Sequence, residues 1–192
     1  MKVISWEEYI TGNREQGSGI GAITIGVFDG VHLGHQALIK YICSSPYVPT
    51  VVTFSQNPAQ VLRKQDNNFY KNIFSLEYKL DVFKTLGVQL IVLIDFSEKF
   101  SKIKGGDFIK LLLKGNFVKM IALGEDFRCG HKLDTGAKEI SSLAAAQGVK
   151  TLVLPPVMDE GHPVSSSRIR QAIASGRIAE AERLLGRSIK LI

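Results

Sequence analysis

Apolar positions along the chain fall into two rhythms. Ala22 to Val27, Thr50 to Phe54, Gln89 to Ile94, Val118 to Leu123 and Val149 to Leu154 are short runs rich in β-branched and aliphatic residues. Runs of this length, apolar at successive positions, predict strands buried on both faces. Between them apolar residues recur at helical spacing: His35 to Ile42, then Leu76, Leu80 and Phe83, then Phe108, Leu111 and Leu112, then Ile140, Leu143 and Ala144. After Leu154 the pattern changes to Pro155, Pro156 and a loop, followed by helical spacing over Ile169 to Ala174 and Ile178 to Leu185. The alternation of strand and helix predicts βαβ units with right-handed crossovers. The fold class is therefore α/β, a mostly parallel sheet of five or more strands with helices on both faces. In open sheets of this kind ligands bind outside the carboxyl ends of the strands, so chemistry is expected just after Ile25, Phe54, Leu123 and Leu154. The polar segment Gln65 to Asn72 reads as a surface loop.

Composition narrows this picture only a little. Of 192 residues 45% are hydrophobic and 22% charged, which excludes a disordered or collagenous chain and fits one domain spanning 1–192. The aliphatic run Leu90 to Ile94 is far shorter than a membrane-spanning helix needs, and Glu7 and Glu8 sit where a signal peptide would be apolar. A cytoplasmic protein without membrane contact is expected. Cys43 and Cys129 lie far apart, which argues against a disulfide framework. The net charge of +6 is uneven: residues 162–192 carry six Arg or Lys against two Glu. No basic stripe with interleaved aromatics accompanies this excess, so nucleic-acid binding is not expected.

Three segments carry candidate chemistry. The first, GVFDGVHLGH, follows the first strand and repeats glycine at Gly26, Gly30 and Gly34. A helix starting near Leu33 would turn its free amides toward the strand's carboxyl end, a ready phosphate site. His32 and His35, three apart, can reach one group together, as a charge clamp on an anion. Donors of that kind accelerate reaction at phosphorus by meeting developing charge. The same pair could ligate a metal or decorate a structural turn. The second segment, VSSSRIR, opens a helix in the basic end with a serine at its N-cap. Ser167 and Arg170 share a face there while Arg168 points elsewhere, so Arg170 is the arginine expected to join the serines. A capped helix with solvated arginines is the alternative. The third, GEDFRCG, from Gly124 to Gly130, mixes acidic, aromatic and basic side chains in one loop, suited to a planar polar ligand or to an ordinary connection.

Together, in this order and spacing, the three segments resemble the FMN adenylyltransferase (FAD synthetase) module at the N-terminus of bacterial bifunctional riboflavin kinase/FAD synthetases. GVFDGVHLGH looks like the nucleotidyl-transfer motif, GEDFRCG like a G-x-D-F-x-F-G loop and VSSSRIR like a triphosphate motif. SLEYKLDVFKTLGV, Ser75 to Val88, is similar to the module's central helix, and LLGRS, Leu184 to Ser188, to its end. The resemblance implies a Rossmann-like nucleotidylyltransferase fold and conversion of ATP and FMN into FAD and pyrophosphate, with Mg²⁺ escorting the triphosphate on ligands it leaves unassigned. It assigns His32, His35 and Arg170 to catalysis. It assigns Gly26, Phe28, Asp29, Gly34, Ser166, Ser167 and Arg170 to ATP. It assigns Phe54, Gly124, Asp126, Phe127 and Arg128 to FMN.

Two positions depart from the family pattern. Gln56 stands where the family often has the first proline of T-F-x-P-x-P, and Cys129 where the loop usually has phenylalanine. The resemblance stops near Ile192, before the riboflavin kinase module would begin, so kinase activity is expected to be absent from these residues; either a separate kinase supplies the FMN or the sequence is a fragment of a longer protein. The competing readings are a nucleotidylyltransferase with another phosphorylated acceptor and a non-catalytic flavin or adenine-nucleotide binding module.

Overall fold

The computed structural model describes residues 1–12, 21–62 and 72–189. Six strands form one sheet: β1 (Lys2–Ser5), β2 (Gly21–Ile25), β3 (Val48–Phe54), β4 (Leu90–Ile94), β5 (Val118–Gly124) and β6 (Lys150–Leu154). Their spatial order is β1-β4-β3-β2-β5-β6, and every neighbouring pair is parallel. The chain runs outward from β2 through β3 to β4, then returns to the other side of β2 for β5. The strand order therefore reverses at β2, where a crevice opens above the carboxyl ends.

Parallel strands need covered faces, and successive residues supply one face each. Ile23, Ile25, Val52 and Val92 pack under α1 (Trp6–Thr11), α5 (Gly105–Leu113) and α6 (Ala137–Ala145). Ala22, Val51 and Ile91 pack on the opposite face against α2 (Leu33–Cys43) and Phe83 of α4 (Leu76–Thr85). A third apolar cluster joins α7 (Ser166–Ala174) to α8 (Ile178–Leu185) and takes in Leu33, Ile73 and Phe74. That cluster brings the basic end of the chain to the start of α2.

The five predicted strands and the α/β class stand, with element ends shifted by a residue or two. β1 is additional. It is four residues long and half-exposed, so its alternation is too brief to read, and it is followed by α1, whose Ser5 hydroxyl accepts from Glu8 N–H while the Glu8 carboxylate accepts from Ser5 N–H. Of the acidic pair that argued against a leader, Glu8 thus supplies a helix cap. A short helix α3 (Pro58–Leu62) follows β3. Of the expected Gln65 to Asn72 loop, all but Asn72 lies outside the described residues.

Candidate active site

The turn between β2 and α2 is bent more sharply than glycine alone requires. Phe28 (φ 52°), Gly30 (φ 76°) and Val31 (φ 43°) all occupy the left-handed region, which a β-branched residue enters only when its surroundings impose it. At Gly30 a side chain would also meet Ile73 at 3.0 Å and Leu185 at 3.3 Å. The turn is fastened from several elements. Asp29, 6% exposed, accepts Ile73 N–H at 2.8 Å with one carboxylate oxygen and pairs with Arg170 through the other. Ser166 Oγ donates to Asp29 O at 2.9 Å. Arg187 donates to Gly30 O and Val31 O, and Gln36 Nε2 donates to Val31 O.

From this turn the two histidines stack, ring centroids 3.6 Å apart and planes 21° apart. Phe28 meets His35 edge-on at 5.0 Å and Phe83 at 5.7 Å, so its ring belongs to the core. A methyl at Gly34 would lie 3.2 Å from the His32 ring, closer than ordinary van der Waals contact. His32 is the N-cap of α2 but its side chain caps nothing, which leaves the first amides of the helix to a ligand.

Burial lowers the His32 pKa to about 4, with the Arg187 cation adding to the effect. Burial, then His32 and Lys79, also push His35 well below its ordinary value. Both rings are therefore neutral near pH 7. Burial alone disfavours two protons on the stack, so the expected charge clamp needs the anion itself to draw protons onto the rings. The two Nδ1 atoms are buried without hydrogen-bond partners. With Nδ1 bare, each ring can present an Nε2–H donor to an anion.

The VSSSRIR segment forms the first turns of α7, with Ser165 as the N-cap accepting from Arg168 N–H. Arg170 reaches Asp29 beside the histidine turn. Arg168 turns the other way, to Asp159 and Glu180. Ser166 faces the turn through its bond to Asp29, and Ser167 is exposed at the helix start.

The third segment meets a different environment. A cavity of about 350 Å³ opens beside Gly26 and Val27, walled by Phe54, Phe96, Phe100, Phe108 and the 127–133 loop. Of the residues assigned to FMN, Phe54, Phe127 and Arg128 line it; Gly124 and Asp126 stand at the end of β5, outside the lining. The loop is held by a two-residue pairing of Arg128–Cys129 with Thr135–Gly136 and by Arg128 Nε donating to Leu133 O at 2.9 Å. Cys129 lines the cavity, and burial, assisted by Asp134, pushes its thiol up to about 12. Gln56 turns away and donates to Phe96 O at 3.4 Å, while Pro58 and Leu62 of α3 supply the wall.

Three groups of the site escaped the sequence reading. Phe96 and Phe100 follow β4 at its carboxyl end, and the rule applied to the other strands would have found them there. Lys79 of α4 reaches beneath the sheet end, donating to Val27 O at 3.3 Å, Thr53 Oγ1 at 3.3 Å and Phe54 O at 2.9 Å. Burial lowers its pKa to about 8 despite the opposing pull of Asp29. Arg187 closes behind the histidine turn. Burial raises the pKa of Asp29 above the usual carboxylate value, against the pull of Ile73 N–H, Arg170 and Lys79.

Comparison with known proteins bears on this arrangement. A family model described as FAD synthetase matches residues 15–168. The chain is 33% identical over 171 residues to the bifunctional riboflavin kinase/FMN adenylyltransferase of Listeria monocytogenes, covering 85% of this chain and 53% of that protein. It is 28% identical over 177 residues to the protein so described in Buchnera aphidicola subsp. Schizaphis graminum, covering 88% and 56%. The chain spans about half the length of the curated relatives it matches. Among solved structures, a Streptococcus pneumoniae protein described as a macrolide-efflux protein superposes with a TM-score of 0.84 at 27% identity, covering 97% of this chain and 62% of that one. A pantoate-beta-alanine ligase from Francisella tularensis superposes with a TM-score of 0.56 at 17% identity, covering 97% and 85%, and shares the fold.

Proposed function

The chain belongs to the FAD synthetase family, and from that premise we propose that it transfers the AMP moiety of ATP to FMN, releasing pyrophosphate and forming FAD. The observation that carries the proposal is a shared rim. Gly26, just past β2, lines the aromatic-walled cavity and has the Phe28 ring against it, a Cβ there coming within 3.1 Å, and that ring meets His35 of the stacked pair edge-on at 5.0 Å. One suits a phosphate and the other a flat apolar ring system, side by side, as joining FMN to a nucleotide requires.

In this reading the triphosphate lies between the free amides of α2 and the start of α7, with Ser166, Ser167 and Arg170 as its polar contacts. Gly26, Phe28, Asp29 and Gly34 shape the nucleotide site through their backbone, since the Phe28 ring is in the core and the Asp29 carboxylate is engaged. Phe54, Phe127 and Arg128 hold the isoalloxazine, with Gly124 and Asp126 at its edge. An oxygen of the FMN phosphate attacks the α-phosphorus, the bond from that phosphorus to the bridging oxygen breaks, and pyrophosphate leaves with the electron pair. A phosphate monoester is ionised at pH 7, so no general base is needed. His32 and His35 donate Nε2–H bonds to the non-bridging oxygens as charge builds there, and being neutral they do not tie down the substrate beforehand. Each such donor is worth roughly two to three powers of ten in rate.

A divalent cation, Mg²⁺, would neutralise the triphosphate, on phosphate oxygens and water. Among the described residues no three His, Cys, Asp or Glu side chains converge on a cage for it, and a phosphate-borne ion fits that donor set. FMN comes from a riboflavin kinase, and the reaction belongs in the cytoplasm with its ATP. No helix among the described residues is long and apolar enough to cross a membrane.

The test is a product assay. Purified protein with ATP, Mg²⁺ and FMN should yield FAD and pyrophosphate on chromatography. Binding of FMN and ATP without FAD would leave a binding module, and AMP transfer to a non-flavin phosphate in preference to FMN would overturn the acceptor.

A further inference from the structure

We propose that Arg187 is a positioning residue for this reaction, its guanidinium fork holding the carbonyls of Gly30 and Val31 and so fixing the turn from which His32 projects. The proposal rests on the adenylyl-transfer reading above. Arg187 Nη2 donates to Gly30 O at 2.5 Å, and Nη1 to Val31 O at 3.0 Å and Leu185 O at 3.2 Å. The guanidinium lies 5.3 Å from the Phe74 ring centroid and 5.6 Å from that of Tyr78, and Nε donates to Tyr78 Oη at 3.4 Å. The fork is thus itself held in place from α4 and the segment before it.

The turn needs such a hold. Gly30 and Val31 both sit at positive φ, a conformation that strains a β-branched residue such as Val31. Relaxing Val31 to negative φ would swing the peptide leading into His32 and unstack it from His35. Asp29 and Ser166 fasten the turn one residue earlier, and Gln36 Nε2 donates to Val31 O and Leu185 O but leaves Gly30 O to Arg187. Arg187 takes two consecutive carbonyls at once, which fixes the rotation of both peptides; an ammonium, a single point of charge, does not. The titratable and charged groups facing the histidine pair are Arg187, Lys79 and the two rings themselves.

R187A and R187K, compared with the unmodified protein, test this in three readouts. Both should lose about 10- to 100-fold in kcat, the scale of a misplaced catalytic group, with KM for FMN unchanged because Arg187 is not among the residues lining the flavin cavity. R187A should also raise the pH at which the His32 ring titrates by NMR without substrates, while R187K, keeping the charge, should not. Thermal unfolding of each variant separates these effects from loss of folded protein. Full kcat in R187K would overturn the need for the fork, as would a kcat loss that merely tracks the fraction unfolded or a parallel rise in KM for FMN. An unmodified protein that forms no FAD would overturn the function proposed above. The substrate-free titration then still reads Arg187 separately, and an unchanged His32 midpoint in R187A would overturn its hold on that ring.

Discussion

The two halves of the site are joined through Gly26 and the Phe28 ring but are built by opposite means. The histidine half is polar and made of long-range fastenings, with Asp29, Ser166, Arg170 and Arg187 converging on one strained turn. The cavity half is apolar and made of contiguous aromatic packing, in which Phe54, Phe96, Phe100 and Phe108 meet edge to face. Binding a ring demands area, which packing supplies without fine alignment. Stabilising a transition state demands donors placed to a fraction of an ångström, and only a cross-linked turn supplies that. Damage to the first half should therefore appear in kcat and damage to the second in flavin affinity.

The largest effect expected is from His35→Ala, which should cut kcat for FAD formation by about two to three powers of ten with little change in FMN binding. Steady-state kinetics beside a flavin titration checks it; losses of equal size in both would break the division.

Next comes acid stability. The folded pKa of His32 is about 4 against 6.5 unfolded. The unfolded chain therefore binds more protons between those values, and stability present above pH 6.5 drains away as pH falls toward 4. At 1.36 kcal/mol per unit this ring alone accounts for roughly 3 kcal/mol, and His35 acts in the same direction. Asp29, its pKa raised by burial, acts in the opposite direction. Urea unfolding at pH 7 and pH 4.5 should show the loss, and His32→Gln, which cannot titrate, should show less of it.

A smaller effect is expected of Phe54→Ala. Losing one aromatic wall should weaken FMN by about 1.5–3 kcal/mol, with kcat at saturating FMN nearly kept. Fluorescence titration of FMN measures it, and a kcat collapse with unchanged affinity would reverse the two halves. Smallest is Cys129. A thiol pushed to about 12 inside the cavity should resist iodoacetamide at pH 8, read by mass spectrometry, and rapid alkylation would show that the cavity wall is open to water.

How much of this was legible follows the same division. The inner strands β2 to β5 announce themselves because they are covered on both faces and largely apolar, and the edge strand β6, partly exposed, by its apolar run Leu152–Leu154, whereas β1, half-exposed over four residues, carries too short a signal. GVFDGVHLGH and VSSSRIR are local motifs, so their residues could be named before their contacts were known. Their electrostatics could not: two histidines read as charges until burial makes them neutral. Lys79 and Arg187 act 52 and 157 residues from the carbonyls they hold at Val27 and Gly30, and no spacing rule reaches that far. In the linear sequence each is a lysine or arginine on an amphipathic helix or just past its end, indistinguishable from a solvated one.

The most direct test of the account is to measure kcat and the FMN dissociation constant together for His32→Ala. The account predicts a fall in kcat of about two to three powers of ten at unchanged FMN affinity, because His32 meets charge that exists only in the transition state. A loss of FMN affinity matching the loss in kcat would contradict it, placing His32 in the binding of FMN rather than in the transfer of AMP.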